Sequence, residues 1–116
     1  MNVLEAINNR TSCKNFIQDK RLDKETMEKI AKAGTRAATG MNKQSPIILA
    51  VNNTNLRNKL SKMNAEVLGS DVDPFYGAPQ LFVVLAKKDV RTHVYDGSIV
   101  MANMMIAAES LGVGAC

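Results

Sequence analysis

Residues Ser98 to Leu111 constrain this chain more than any other stretch. The run SIVMANMMIAAESL carries polar side chains only at Ser98, Asn103, Glu109 and Ser110. An ordinary surface helix has one apolar stripe and a polar back. A helix that is apolar nearly all round needs partners on several sides, so it belongs at the centre of a core or inside a subunit interface. Its longest apolar stretch, Ile99 to Ala108, is interrupted by Asn103 and is too short to span a bilayer. A chain of 116 residues fits one domain, in the size range where folding buries a modest fraction of the surface. With three Phe, two Tyr and no Trp, the core must be built from aliphatic residues and seven Met. Oligomerisation is the expected source of further burial.

The remaining elements follow from periodicity and punctuation. NVLEAI predicts a short helix with Val3, Leu4 and Ile7 on its inner face, ended by Asn8 and Asn9. LDKETMEKIAKAGTRAA predicts a second helix, capped by Asp23, with Glu25 at its positive end and Met27, Ile30, Ala31 and Gly34 inward. TGMNKQSP reads as a polar loop, and Ile47 to Asn52 as a buried strand. Thr54 is placed to cap a third helix whose stripe is Leu56, Leu60, Met63 and Val67. GSDVDPFYGAP is irregular, and QLFVVLA predicts a strand covered on both faces. Gly112 is placed to stop the Ser98 helix, and VGAC begins something strand-like. Two strands make a thin sheet for this much apolar helix. The expectation is one domain over residues 1–116 that is incomplete at its C-terminal end, with further strands supplied by more chain or by a partner.

Charge and cysteine usage exclude several classes. The net charge is +4, from 15 basic and 11 acidic residues that are interleaved without long like-charge runs. No aromatic residues alternate with a basic stripe, so a nucleic-acid platform is not expected. Cys13 and Cys116 lie far apart without a CxxC, and the N-terminus lacks an apolar signal segment. Both observations favour a reduced, cytoplasmic setting. His93 is the only histidine and has no ligand-spaced partner, so no metal site is expected. Neither GxGxxG nor GxxxxGK[ST] is present.

Two segments carry candidate chemistry. In NRTSCKNF, Arg10, Ser12 and Lys14 fall on one side of an extended backbone, with a forked donor, a hydroxyl and a point charge. They suit an anionic ligand such as a phosphate or a flavin; a solvated turn is the plainer reading. Cys13 has the opposite parity and no positioned base, which argues against a nucleophile. In TGMNKQSP, Gly40 permits unusual backbone angles, and Asn42 and Gln44 are paired amides able to meet a polyol or ring edge. A loop leading into a strand is the alternative. The aromatic pair in DPFYGAP is either a cover for a planar ligand or a packed turn. Met101, Met104 and Met105 read as core filler.

Taken in order, these segments resemble the nitroreductase family of flavin-dependent oxidoreductases. The family's Arg-x-Ser-x-Arg/Lys-x-Phe motif is matched by Arg10, Ser12, Lys14 and Phe16. Its Asn-x-Gln-Pro loop is matched by GMNKQSP with Ser45 inserted, a form similar to that of a short-chain branch. FYGAP before a strand and the Ala- and Met-rich helix within DGSIVMANMMIAAESLGVGAC complete the series.

The resemblance implies an α+β fold: a nitroreductase-like sandwich of a central β-sheet flanked by helices, homodimeric, with FMN at the interface. It implies that Arg10 and Ser12 hold the phosphate end of FMN, that Thr11 between them also binds the cofactor, and that Lys14 approaches the N1/O2 edge of the ring. Thr39, Gly40, Asn42 and Gln44 would reach the flavin from the other subunit. It also implies a ping-pong cycle in which NAD(P)H passes a hydride to flavin N5 and a nitroaromatic, quinone or similar small molecule then accepts the electrons. No side chain is required as a nucleophile, and a cation near N1 would stabilise the reduced flavin. Family members extend past the position of Cys116, which leaves two alternatives: a non-catalytic flavin-binding protein, or an inactive truncated fragment. A nucleotide- or phosphate-binding module without redox work is a third.

Overall fold

A computed structural model describes all residues, 1–116, as four helices and one two-stranded sheet. The helices are α1 (Val3–Asn9), α2 (Lys24–Thr35), α3 (Thr54–Leu68) and α4 (His93–Ser110). The strands are β1 (Ile47–Val51) and β2 (Leu81–Leu85), paired antiparallel with Ile47 opposite Leu85 and Val51 opposite Leu81. A single parallel bridge joins Ser12 to Ala115, so the segment after α4 does turn strand-like.

The core forms where α2 and β2 meet α4. Ile30 packs with Val100, Met104 and Ala108, and Leu22, Ile48, Phe82 and Val84 close around them. Gly34 lets α2 approach closely: a methyl group there would lie 2.7 Å from both Ile48 Cδ1 and Met104 Cγ. Asp23 caps α2 as expected, its Oδ1 accepting the Thr26 amide at 2.8 Å. Burial of Met27, Ile30 and Gly34 follows the expected stripe.

The apolar helix begins five residues earlier than Ser98, at His93. Its buried positions are Asp96, Val100, Met104 and Ala108, one every fourth residue. Gly112, with φ +73°, ends it as expected. The Val113 and Gly112 amides donate to Ala108 O (2.9 Å) and Glu109 O (3.0 Å), the paired bonds that satisfy a helix's last carbonyls. No helix is long and apolar enough to cross a membrane.

Several expectations about which face turns inward do not hold. On α1, only Ala6 is buried, while Val3, Leu4 (68% exposed) and Ile7 face outward. The small residue permits close approach to α4, and the bulkier stripe is left outside. Asn8 and Asn9 lie within this helix rather than ending it, and Arg10 follows as its cap. On α3, Arg57, Ser61 and Ala65 face inward; Leu56, Met63 and Val67 (88% exposed) do not. The polar pair is drawn in because it binds Asp73. Asn53, one residue before Thr54, is the cap of α3, accepting the Leu56 amide at 2.9 Å. In the sheet, Ile47 and Leu49 of β1 are exposed, and β2 is only half-buried, so neither strand is covered on both faces within one chain.

Candidate functional site

The segment after α1 is extended and tied at two points. The Cys13 amide donates to Ala115 O at 2.9 Å, and the Phe16 amide donates to Tyr76 O at 3.3 Å. Cys13 turns toward Gly114, where a methyl group would come within 3.2 Å of its Sγ. Its thiol donates to Asn15 O at 3.4 Å. Lys14 extends over the Tyr76 ring, with Nζ 6.0 Å from the centroid. Arg10 is half-buried and Thr11, Ser12 and Lys14 are exposed. Neither cation forms an ion pair; the chain's three ion pairs all lie elsewhere. No acidic residue occurs between Arg10 and Gln18. Two uncompensated cations and two free hydroxyls are a donor set for an anion.

The second segment is a single 3-10 turn, Gly40–Asn42, entered from Thr39. The Gln44 amide donates to Thr39 Oγ1 at 3.0 Å, and Gln44 Nε2 donates to Asn42 Oδ1 at 2.8 Å, so the two side-chain amides meet. Met41, Asn42 and Gln44 all have φ between 53° and 54°. That is left-handed backbone, uncommon outside glycine.

The two segments are held at opposite ends of α4. The first is bridged to Ala115, beyond the helix's C-terminus; the second is bonded to Asp96 in its first turn. The helical rise between those ends is roughly 20 Å. No hydrogen bond joins one segment to the other.

The DPFYGAP aromatics sit on a turn organised by Asp73. Its carboxylate accepts from Arg57 Nη2, from Ser61 Oγ (2.7 Å) and from the Phe75 and Gly77 amides (3.0 and 2.9 Å). Burial pushes this carboxyl upward, but those donors outweigh it and hold it at about 2. Phe75 and Tyr76 line an apolar cavity of about 310 Å³, together with Phe82, Met101 and Met105.

A family model described as the nitroreductase family matches residues 7–116. The chain belongs to the nitroreductase family. The fold agrees: a nitroreductase with bound FMN from Bacteroides fragilis superposes with a TM-score of 0.92 at 26% identity, over 100% of this chain and 68% of that one. A nitroreductase with bound FMN from Desulfitobacterium hafniense gives 0.86 at 28% identity, over 98% and 68% of the two chains. An FMN-dependent nitroreductase from Clostridium difficile gives 0.86 at 25% identity, over 98% and 58%. The chain thus spans about 58–68% of these nitroreductases. No curated protein matches it.

The donor set of this nitroreductase-family chain fits FMN: two cations without counterions for an anionic ligand, and neutral amides on a separate loop. Sequence reading missed Asp96 and the Arg57–Ser61–Asp73 cluster. Asp96 stood outside the helix as drawn from Ser98; continuing the spacing of Val100, Met104 and Ala108 backward by four residues would have found it. Nothing local pairs Arg57 with Asp73.

Proposed function

We propose that this protein is an FMN-dependent NAD(P)H oxidoreductase that works as a homodimer. When bound, FMN would supply two-electron transfer between NAD(P)H and a small acceptor such as a nitroaromatic or quinone, in alternating half-reactions. The observation that carries this reading is the cation pair Arg10 and Lys14, free of any carboxylate, in a family fold whose FMN-bound members superpose closely.

In this reading Arg10, Thr11 and Ser12 hold the phosphate, where the guanidinium's planar fork matches two oxygens at once. Lys14 sets a positive charge at the N1/O2 edge of the ring and favours its reduced, anionic form. Thr39, Asn42 and Gln44 offer donors and acceptors to the flavin held by the other protomer, and Gly40 offers its carbonyl, its amide being taken by Asp96. The separation of the two segments along α4 supports that division, because each protomer then completes the other's site. Exposed Tyr95 and Ile99 of α4, together with Ile47 and Leu49 of β1, supply apolar surface for such an interface. No side chain is assigned as nucleophile or general acid; orientation and electrostatics are the protein's contribution.

The test is spectroscopic. Purified protein should be yellow with a flavin absorbance band, or acquire that band with added FMN. NAD(P)H should bleach it under anaerobic conditions, and a nitroaromatic or quinone should restore it. Yellow protein that resists bleaching would identify a flavin-binding protein without turnover. Colourless protein that takes up no FMN would overturn the flavin reading altogether.

A further inference from the structure

Asp96 is 2% exposed and heads the inward stripe of the most apolar helix in the chain. It takes part in no ion pair. A buried carboxylate without a cation is costly unless its oxygens are bonded. Here Oδ1 accepts the Gly40 amide at 2.9 Å and Oδ2 accepts the Thr92 hydroxyl at 2.9 Å. Its place in the first turn of an 18-residue helix adds the favourable end of the helix dipole. An alanine or valine would continue the Val100–Met104–Ala108 stripe without any of this. What the carboxylate adds is a fixed backbone amide outside the helix.

That amide opens the candidate FMN loop. Gly40 comes so close to the helix that a methyl group on it would fall 2.2 Å from Thr92 Oγ1, so glycine is required by the approach itself. Directly after it come the left-handed residues Met41, Asn42 and Gln44. Such conformations cost on the order of 1–3 kcal/mol each and persist only where the surroundings enforce them. The chain's own packing offers no return, since Met41 is 89% exposed.

We infer that Asp96 is a positioning residue: with Thr92 it latches Gly40 to the start of α4 and holds the strained Thr39–Gln44 loop in its ligand-binding conformation. The inference rests on the FMN reading above. The latch works by preorganisation, so that the flavin does not have to order the loop on binding.

Four variants test it, each read by FMN fluorescence quenching, thermal midpoint and amide exchange at Gly40. Asp96→Asn keeps an oxygen for Gly40 and should hold FMN affinity within about threefold, whereas Asp96→Ala should weaken it by about tenfold and speed Gly40 exchange at least as much. Val100→Ala, a core truncation on the same helix, should lower the thermal midpoint while leaving FMN affinity unchanged. Where Asp96→Ala does not fold, Thr92→Val, which removes one of the two donors, should still weaken FMN binding severalfold and speed Gly40 exchange. An Asp96→Ala protein that binds FMN like wild type would overturn the latch alone, and so would a Val100→Ala protein that loses as much affinity as Asp96→Ala. Wild-type protein that takes up no FMN would overturn the flavin reading and this inference with it.

Discussion

The Arg57 guanidinium donates to the Asp73 carboxylate across sixteen residues of sequence, the chain's sole ion pair outside the exposed pairs on α2. Arg57 also donates through Nε to Ala78 O at 2.7 Å and lies over the Phe75 ring at 5.6 Å. The pair therefore ties α3 to the turn whose Tyr76 carbonyl receives the Phe16 amide. Asp73→Ala leaves a buried guanidinium and two turn amides without their acceptor. A loss of roughly 2–3 kcal/mol is expected, read as a lower urea midpoint at pH 7. A variant as stable as wild type would show that the turn holds without its carboxylate.

Acid should act through the same group. Its carboxyl is depressed from 3.8 to about 2, so its contribution to stability is complete above 3.8 and is lost as pH falls from there through about 2. The difference in thermal midpoint between wild type and Asp73→Asn should be constant near neutrality and shrink across that window. A difference that stays constant down to pH 2 would contradict the assignment.

The two cations of the candidate FMN site should separate by readout. Arg10→Ala should raise the FMN dissociation constant by about tenfold, the cost of a lost charge-assisted pair. Lys14→Ala should lower the flavin's reduction potential and slow its reduction by NAD(P)H, with a smaller effect on affinity. Unchanged potential and reduction kinetics in Lys14→Ala would remove that residue from the ring's edge.

Gly34→Ala should destabilise the fold by about 1–3 kcal/mol through overpacking alone. The added methyl group meets the tip of Ile48, which can rotate away, and also the mid-chain Cγ of buried Met104, which has little room. Chemical denaturation measures the loss; a neutral result would mean that Met104 repacks freely.

Assembly is tested on α4. Tyr95 and Ile99, one turn apart, are exposed in the single chain, Ile99 by 43%. Tyr95→Glu with Ile99→Glu should leave the helical circular dichroism intact and shift sedimentation from dimer to monomer. A wild-type protein that sediments as a stable monomer at micromolar concentration would refute the dimer.

The family and the order of elements were legible in the sequence because their signals are local. Arg10-x-Ser12-x-Lys14-x-Phe16, the Asp23 cap, the Gly112 stop and the apolar run ahead of it all act within a few residues. The eight residues proposed to hold FMN rest on signals of the same local kind. Their supports do not. A stripe at helical spacing shows that a helix is amphipathic, and it leaves open which side the rest of the molecule will cover. On α3 the inward face is Arg57, Ser61 and Ala65 because Asp73 waits there, and on α1 it is Ala6 because only a small side chain admits α4 so closely. The carboxylate of Asp96 finds the Gly40 amide fifty-six residues back. By itself the sequence determined which segments become helices and strands and in what order, since backbone propensity and hydrophobic period are properties of neighbours in the chain. Tertiary structure alone decided which faces are buried and which polar groups are paired, because burial and hydrogen-bond satisfaction depend on contacts between residues far apart in sequence.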